Sequence, residues 1–266
     1  MSTRGQKVNR DSLPTSRTLR SRGASVTATA FIPARGTSQR MPGKNLREVG
    51  GVPLVRRAVD LAVRAREVGL VGRVVLDTDS SVVREKAGIH VSLSGSHECS
   101  MGLDYRFRPE QLRGESVRVI DLIQAWLREI SSPPDLVCVL LPTSPLRTLR
   151  HITESRLALR EDVDGVLSVT PFCQEIGYAL MERADAAGPY LTRRFSPSPE
   201  SEFQADGKHC GTVAWYRTEA LRTLPPGANI YALRLAPYWV PFAEGIDVNT
   251  EVDLRLAEAL LARQCP

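Results

Sequence analysis

Cysteine is scarce in this sequence, and its pattern argues against two kinds of site. The 266 residues include five cysteines, placed singly along the chain without a CxxC pair. Zinc sites and disulfide frameworks use clustered or regularly spaced cysteines. The sequence therefore predicts neither, and it is typical of a protein from a reducing cytoplasm.

Long apolar runs are also missing. No stretch reaches the roughly 20 apolar residues that a membrane-spanning helix needs, so we expect no membrane contact. The net charge of +5 is concentrated early, because residues 1–23 hold six cations and one acid. The remainder is close to neutral, so we expect no binding of nucleic acid.

Residues 1–26 are predicted to be a disordered basic extension. They are rich in serine and threonine and lack the apolar segment of a secretory signal. A transit peptide would have a similar composition and stays the second interpretation.

Residues 27–266 have the composition of a folded domain. The whole chain is 42% hydrophobic and 24% charged, which is ordinary for a soluble globular protein. Short apolar runs alternate with segments of helical periodicity. This alternation predicts one α/β domain whose sheet is covered by helices on both faces.

The same patterns predict the individual elements. Strands are predicted near 28–32, 72–77, 89–93, 136–141, 165–169, 211–216, 230–235 and 238–241. Helices are predicted at 53–67, 80–87, 117–130, 151–160 and from about 254 to the end. Residues 94–114 read as irregular.

Residues 171–208 change in character, since they are rich in proline, serine and charge and have broken periodicity. We interpret them as an inserted arm or lid.

The loop between the first strand and the first helix is the most informative stretch. Residues 32–45 contain two glycines, small hydroxyl residues and the cations Arg35, Arg40 and Lys44. Glycines allow close backbone approach, and bare N–H groups followed by cations suit a polyphosphate. Many α/β nucleotide enzymes bind phosphate at this position, after a strand and before a helix. A solvated basic loop is the simpler alternative.

Two further strings accompany this loop: Leu-Leu-Pro-Thr-Ser-Pro-Leu-Arg at 140–147 and Ile-Asp-Val-Asn-Thr-Glu-Val-Asp-Leu at 246–254. With these three strings in this order, residues 27–263 resemble the acylneuraminate (CMP-sialic acid) cytidylyltransferases. The resemblance implies a Rossmann-like, GT-A-like nucleotidyltransferase with a mostly parallel sheet. It also implies CMP transfer from CTP to the anomeric hydroxyl of an acidic sugar, with Mg²⁺ and release of pyrophosphate. A family counterpart of the arm docks on a second subunit, which implies a homodimer.

The resemblance also implies roles for individual residues. Arg35 and Lys44 match cations that bind the triphosphate, and Asp247 matches a metal-associated acid, with Asn249 beside it. The nucleotide-binding positions are Ala34, Gly36, Ser38, Arg40, Asn45 and Arg108. The acceptor-binding positions are Leu141, Thr143, Ser144, Arg147 and Cys210.

Several positions depart from the family pattern. Gln39 replaces a loop lysine, Asn249 replaces the second acid, Leu141 replaces a sugar-facing glutamine, Val119 replaces a serine, and Cys210 replaces an asparagine. The sugar-facing positions are altered more than the phosphate-facing ones, which favours a divergent acceptor. Two alternatives stay open: transfer with another nucleotide or to a phosphorylated or phosphonate acceptor, and a catalytically silent nucleotide-binding protein.

Some residues have competing interpretations. Arg147 could contact the acceptor carboxylate, cap the following helix or pair with an acid. Thr143 and Ser144 are most simply turn and N-cap residues. Asp77 and Asp79 are predicted to cap the helix that begins near residue 80 rather than to bind metal. His209 is predicted to be a surface or hydrogen-bonding residue rather than a base.

Overall fold

The computed structural model describes residues 26–89, 103–114, 116–172, 180–185, 188–193 and 207–264. The strands in chain order are β1 (Ala28–Pro33), β2 (Glu48–Val49), β3 (Val52–Pro53), β4 (Arg73–Thr78), β5 (Leu103–Phe107), β6 (Leu136–Val139), β7 (Gly165–Pro171), β8 (Leu180–Asp185), β9 (Gly188–Arg193), β10 (Gly207–Arg217) and β11 (Leu235–Trp239). The α-helices are α1 (Leu54–Glu67), α2 (Ser81–Lys86), α3 (Val119–Glu129), α4 (Leu149–Leu157), α5 (Thr218–Thr223) and α6 (Glu251–Gln264).

A central sheet organises the described chain in the order β11-β7-β10-β6-β1-β4-β5. The pairs β1–β4, β1–β6, β4–β5 and β7–β11 are parallel, whereas β10 runs antiparallel to β6 and β7. The predicted fold class, a mostly parallel α/β sheet, is confirmed.

Alternating side chains of β1 explain why helices cover both faces of the sheet. Ala30 and Ile32 pack into one hydrophobic cluster with α1, while Phe31 packs into the other with α3. The rings of Phe31 and Trp126 have centroids 5.3 Å apart. A strand buried on both faces reads as a continuous apolar run, as the sequence showed.

The structure corrects several predicted elements. β5 lies within the stretch predicted to be irregular, and it forms the edge of the sheet beside β4. A 3₁₀ turn at Ile230–Ala232 replaces one predicted strand, and the next strand is β11. The helix α5 was not predicted. Most of the strand predicted at 89–93 lies outside the described residues.

The predicted arm lies between β7 and β10. Its described part contains β8 and β9, which pair as an antiparallel hairpin separate from the central sheet. The predicted extension, 1–26, lies outside the described residues apart from its last residue. No helix in the described ranges is long and apolar enough to cross a membrane.

One edge of the sheet collects the segments singled out by sequence. β1, β4 and β6 are parallel, so the loops after their carboxyl ends meet at this edge. β10 is antiparallel, and Ala214 pairs with Val139, so residues just before Ala214 reach the same edge. The site described next lies here.

Candidate active site

The loop after β1 is held by backbone contacts. The Ala34 N–H donates to the Asp77 carbonyl at 2.8 Å, and the Gly36 N–H donates to Asp79 Oδ1 at 2.6 Å. Asn45 Nδ2 donates to the Arg35 carbonyl at 2.8 Å. The backbone N–H groups of Ala34 and Gly36 therefore already have hydrogen-bond partners, contrary to the prediction of bare N–H groups. The side chain of Asn45 holds the loop closed.

Gly36 is required by a close approach. A Cβ atom at this position would lie 2.6 Å from the Cβ of Ser80, closer than side chains tolerate. Ser38 and Arg40 follow on the same loop, where Ser38 is half-buried and Arg40 is exposed. The glycine thus lets the cationic loop lie against the start of α2.

Lys44 connects this loop with the late acidic segment. Its Nζ atom donates to Asn249 Oδ1 at 3.1 Å, although 205 positions separate the two residues. Burial lowers the pKa of Lys44, Asp247 opposes this by attraction, and Arg40 and Arg35 lower the pKa further. The structure therefore brings the predicted triphosphate cations and the predicted metal-associated acid together.

Alternation along residues 246–249 directs the side chains of Asp247 and Asn249 toward Lys44. Ile246 and Val248 are buried in an apolar cluster, so the residues between them face the other side. The Val248 N–H donates to the Thr143 carbonyl at 2.8 Å, which ties the segment to the Pro-Thr-Ser turn.

The amide of Asn249 bridges its neighbours. Its Nδ2 donates to Asp247 Oδ2 at 2.6 Å, while its Oδ1 accepts from Lys44. The amide oxygen that was predicted to assist a metal therefore has a different partner here. Among the described residues no group of three or more His, Cys, Asp or Glu residues could hold a metal ion.

Asp247, which lies beside the loop cations, still fits a magnesium ion that is bound together with substrate. Mg²⁺ at nucleotide sites usually takes one or two carboxylates, phosphate oxygens and several waters. Asp247 provides a hard oxygen donor beside the loop cations. The donor set thus suits a metal carried by a triphosphate better than a metal bound by the protein alone.

Arg147 neither caps the following helix nor pairs with an acid in the described part of the chain. Its Nη1 donates to the carbonyls of Leu141, at 3.1 Å, and Thr212, at 2.7 Å. Burial lowers the pKa of Arg147 to about 10. The side chain therefore joins the end of β6 to β10, and an acceptor-binding role has no support in this arrangement.

Arg108 is likewise committed to a structural contact. Its Nε donates to Asp77 Oδ1 at 2.6 Å, and Arg106 also pairs with this fully buried carboxylate.

Asp77 and Asp79 do not cap α2, contrary to the prediction. Ser80 is the N-cap, and its hydroxyl accepts from the Val83 N–H at 3.2 Å.

Gly211 marks the boundary between the acidic segment and a neighbouring cavity. Its φ of +70° favours glycine. An added Cβ would lie 3.2 Å from Leu141 Cδ1, 3.6 Å from Ser144 Oγ and 4.0 Å from Asp247 Cγ. Leu141 and Asp247 therefore flank the same point of the backbone.

The cavity has a volume of about 250 Å³. Its walls come from the first turns of α3, the end of β6, β10 and the turn at 229–231. Leu141 and Val119, both flagged as departures from the family pattern, contribute to its lining. Thr143, Ser144, Arg147 and Cys210 do not, and Cys210 is instead buried with its Sγ 3.3 Å from Thr212 Oγ1.

Sequence reasoning missed most polar residues of this cavity. His209 Nδ1 and the Tyr231 hydroxyl are 3.5 Å apart. His209 is exposed on one side, and partial desolvation lowers the pKa of its imidazole, which the attraction of Asp247 partly offsets. Arg118, Asn229 and Tyr216 complete the polar set. No local spacing connects these residues, because the 229–231 turn reaches the cavity only through folding.

The fold and this edge of the sheet define an α/β nucleotide-binding protein with loop cations beside a carboxylate. Comparison with known proteins narrows this class. The sequence model of a family described as cytidylyltransferase matches residues 29–101. The chain is 32% identical over 259 residues to a 3-deoxy-manno-octulosonate cytidylyltransferase of Afipia carboxidovorans, covering 88% of this chain and 96% of that protein.

Two other comparisons agree. A CMP-N,N'-diacetyllegionaminic acid synthase of Legionella pneumophila is 27% identical over 248 residues, covering 87% of this chain and 95% of that protein. A solved CMP:2-keto-3-deoxy-manno-octonic acid synthetase in complex with CTP has the same fold. The TM-score is 0.62 at 20% identity, with 90% of this chain and 99% of that chain covered. The chain belongs to the cytidylyltransferase family.

Proposed function

We propose that this protein transfers CMP from CTP to a hydroxyl group of an acidic sugar and releases pyrophosphate. The observation that carries the proposal is the contact of Lys44 with Asn249, which places the loop cations beside Asp247. Relatives named for 3-deoxy-manno-octulosonate and for diacetyllegionaminic acid support an acidic sugar as the acceptor class.

Charge neutralisation is the main task of the protein in this reaction. The acceptor hydroxyl gives up its proton to water as its oxygen forms a bond to the α-phosphorus, and the bond from this phosphorus to the bridging oxygen of pyrophosphate breaks. Arg35, Arg40 and Lys44 would neutralise the triphosphate and the departing pyrophosphate. Fixed cations in a partly buried site stabilise such charge without reorganising.

Asp247 is the residue we propose as the protein ligand of Mg²⁺, with Asn249 holding its carboxylate in place. Such an ion, when bound, would polarise the phosphate oxygens and offset their charge. This chain would hold the ion through one carboxylate, and substrate and water would supply its other ligands.

The sequence resemblance and the relatives differ on the identity of the acceptor. The sequence resemblance implied a nine-carbon sialic acid, whereas several similar relatives are named for the eight-carbon 3-deoxy-manno-octulosonate. We therefore propose acidic 2-keto sugars as the class and take 3-deoxy-manno-octulosonate as the first acceptor to test. We also propose a cytoplasmic homodimer, from the unclustered cysteines and the β8–β9 arm.

The test combines nucleotide binding with turnover. CTP with Mg²⁺ at about 100 times its dissociation constant should add about 2.7 kcal/mol to the free energy of unfolding, which raises the melting temperature. Pyrophosphate release should follow when an acidic sugar is added. Lys44→Gln should lower kcat/KM about 100-fold or more, whereas Lys86→Gln, an exposed lysine on α2, should not change it.

Two results would contradict the proposal. A larger rise in melting temperature with UTP or GTP would favour transfer of another nucleotide. Binding of CTP with no pyrophosphate release from any acidic sugar, in the parent protein and in Asn249→Asp, would favour a silent nucleotide-binding protein.

A further inference from the structure

The cavity beside Gly211 is predominantly apolar. Its aliphatic lining comes from three elements that converge below the acidic segment: Val119, Ile120, Ile123, Val139, Leu141 and Ile230. A volume of about 250 Å³ is close to the lower end of small-molecule sites, roughly 300–1,000 Å³. It is large enough for part of a substrate but not for a second nucleotide.

The polar groups of the lining lie mainly at its solvent side, where His209, Asn229 and Tyr231 are exposed. Arg118 donates to Asp121 Oδ1 at 2.6 Å and to the carbonyls of Gly227 and Ala228 at 2.8 and 2.7 Å. Asn229 Oδ1 accepts from the Tyr231 N–H at 3.1 Å. A ligand hydroxyl that reaches the aliphatic wall of the cavity, away from these polar groups, would be left unpaired, and unpaired buried polar groups are unfavourable.

The cavity adjoins the place where the acceptor must react. Gly211 contributes to its wall and would bring a Cβ atom within 4.0 Å of Asp247 Cγ. Leu141 lies beside the same point, since its Cδ1 would be 3.2 Å from that Cβ atom. If the reacting oxygen of the acceptor lies near Asp247, the part of the acceptor that extends past Gly211 therefore contacts the aliphatic wall of the cavity.

From this geometry we infer that the acceptor is an acidic sugar with an apolar, deoxygenated end, and that this end occupies the cavity. The inference rests on the proposed function and specifies its substrate class. Leu141 and Val119 determine the preference, because both contribute aliphatic side chains to the cavity wall.

The experiment compares acceptors that differ by one hydroxyl group. One pair is 3-deoxy-manno-octulosonate and its 8-deoxy analogue, and the other is a nonulosonic acid with either an N-hydroxyacetyl or an N-acetyl group. We expect kcat/KM for pyrophosphate release from CTP to be about 10- to 100-fold higher for the deoxygenated member of at least one pair. Equal values in both pairs, or no release with any of the four, would overturn the inference.

Leu141→Gln should reduce this preference severalfold, mainly by improving the hydroxylated acceptor. Leu157→Gln, the same change at an exposed residue ending α4, should leave the preference unchanged. Val119→Ser, with Val68→Ser as its exposed control, provides a second test if Leu141→Gln fails to fold. A preference that is unaltered in both folded variants would overturn the assignment of Leu141 and Val119.

Measuring CTP binding distinguishes a failure of this inference from a failure of the proposed function. If CTP does not raise the melting temperature of the parent protein, the proposed function fails. If CTP binds and pyrophosphate is released, but the hydroxylated acceptor is used equally well or better, only the inference about the cavity fails.

Discussion

At the scale of single residues, Lys44 combines a functional charge with an unfavourable environment. It is partly buried, and two arginines of the same loop repel its ammonium group. Asp247 and the oxygen of Asn249 compensate only in part. Such a cation gains most when a polyanion arrives, because phosphate supplies the missing negative charge.

The pKa of Lys44 yields a prediction for CTP binding. Burial and the neighbouring arginines lower this pKa below the ordinary 10.5, so the ammonium loses its proton at a lower pH than an exposed lysine does. The affinity for CTP should therefore fall as the pH rises from about 7 toward 10. Lys44→Arg keeps its charge throughout this range and should flatten the dependence.

Calorimetric titration with CTP at several pH values measures the effect. Lys86→Arg, at an exposed position, should retain the parent profile. Equal slopes for the parent protein and Lys44→Arg would mean that Lys44 does not contact the triphosphate.

Asn249 yields a second prediction at this scale. Its amide nitrogen lies 2.6 Å from Asp247 Oδ2, so Asn249→Asp places two carboxylates side by side. Without metal this repulsion should lower the melting temperature, and Mg²⁺ should restore it. With CTP, the Mg²⁺ concentration for half-maximal activity should fall roughly 5- to 10-fold, because a charged ligand is added.

Gln111→Glu is the matched control, since it makes the same chemical change at an exposed residue. An unchanged Mg²⁺ requirement in Asn249→Asp, with its fold intact, would place the metal elsewhere.

At the scale of elements, β5 shows how an edge strand is fixed by charge. Its sequence, Leu-Asp-Tyr-Arg-Phe, alternates apolar and polar residues as a half-buried strand does. The alternation spans only five residues between polar stretches of sequence, so no strand was predicted there. Arg106 on β5 and Arg108 just after it both pair with Asp77 on β4, and Arg106 also reaches Glu129 on α3 with Nε 2.6 Å from Oε2. A buried carboxylate between two guanidinium groups thus fixes the register.

This network predicts two very different mutational costs. Asp77→Ala leaves the buried Arg108 without its carboxylate and Arg106 with Glu129 alone, and should lower the free energy of unfolding by about 3–5 kcal/mol. Asp104→Ala removes the exposed pair with Arg73, which also links β4 and β5, and should cost about 0–1 kcal/mol. Urea denaturation of both variants measures the difference, and similar losses would contradict the role given to burial.

At the scale of the whole molecule, the β8–β9 hairpin is the element that the central sheet does not explain. It pairs only with itself in the described part of the chain. We proposed that it docks on a second copy, which gives a species of about twice 29.3 kDa.

Sedimentation velocity tests this arrangement. The parent protein should sediment as a dimer, and replacing residues 180–193 with a short Gly-Ser linker should give a monomer. A rise in melting temperature with CTP would show that the shortened chain still folds. A parent protein that sediments as a monomer would contradict the proposed dimer.

Local pattern alone determined the frame of the molecule. β1, the cationic loop and α1 follow one another within 40 residues, and their apolar periodicity and loop composition depend only on near neighbours. The carboxyl edge of the parallel strands then followed from the general topology of α/β sheets. The fold class and the location of the site were therefore predictable.

Tertiary structure alone decided which partners these residues have. Lys44 meets Asn249 across 205 positions, Arg147 binds backbone carbonyls rather than a carboxylate, and Arg108 turns to Asp77. The 229–231 turn closes a cavity whose other lining residues are about 13 to 113 positions away in sequence. Contacts of this kind depend on how the whole chain packs, and no window of neighbouring residues contains that information.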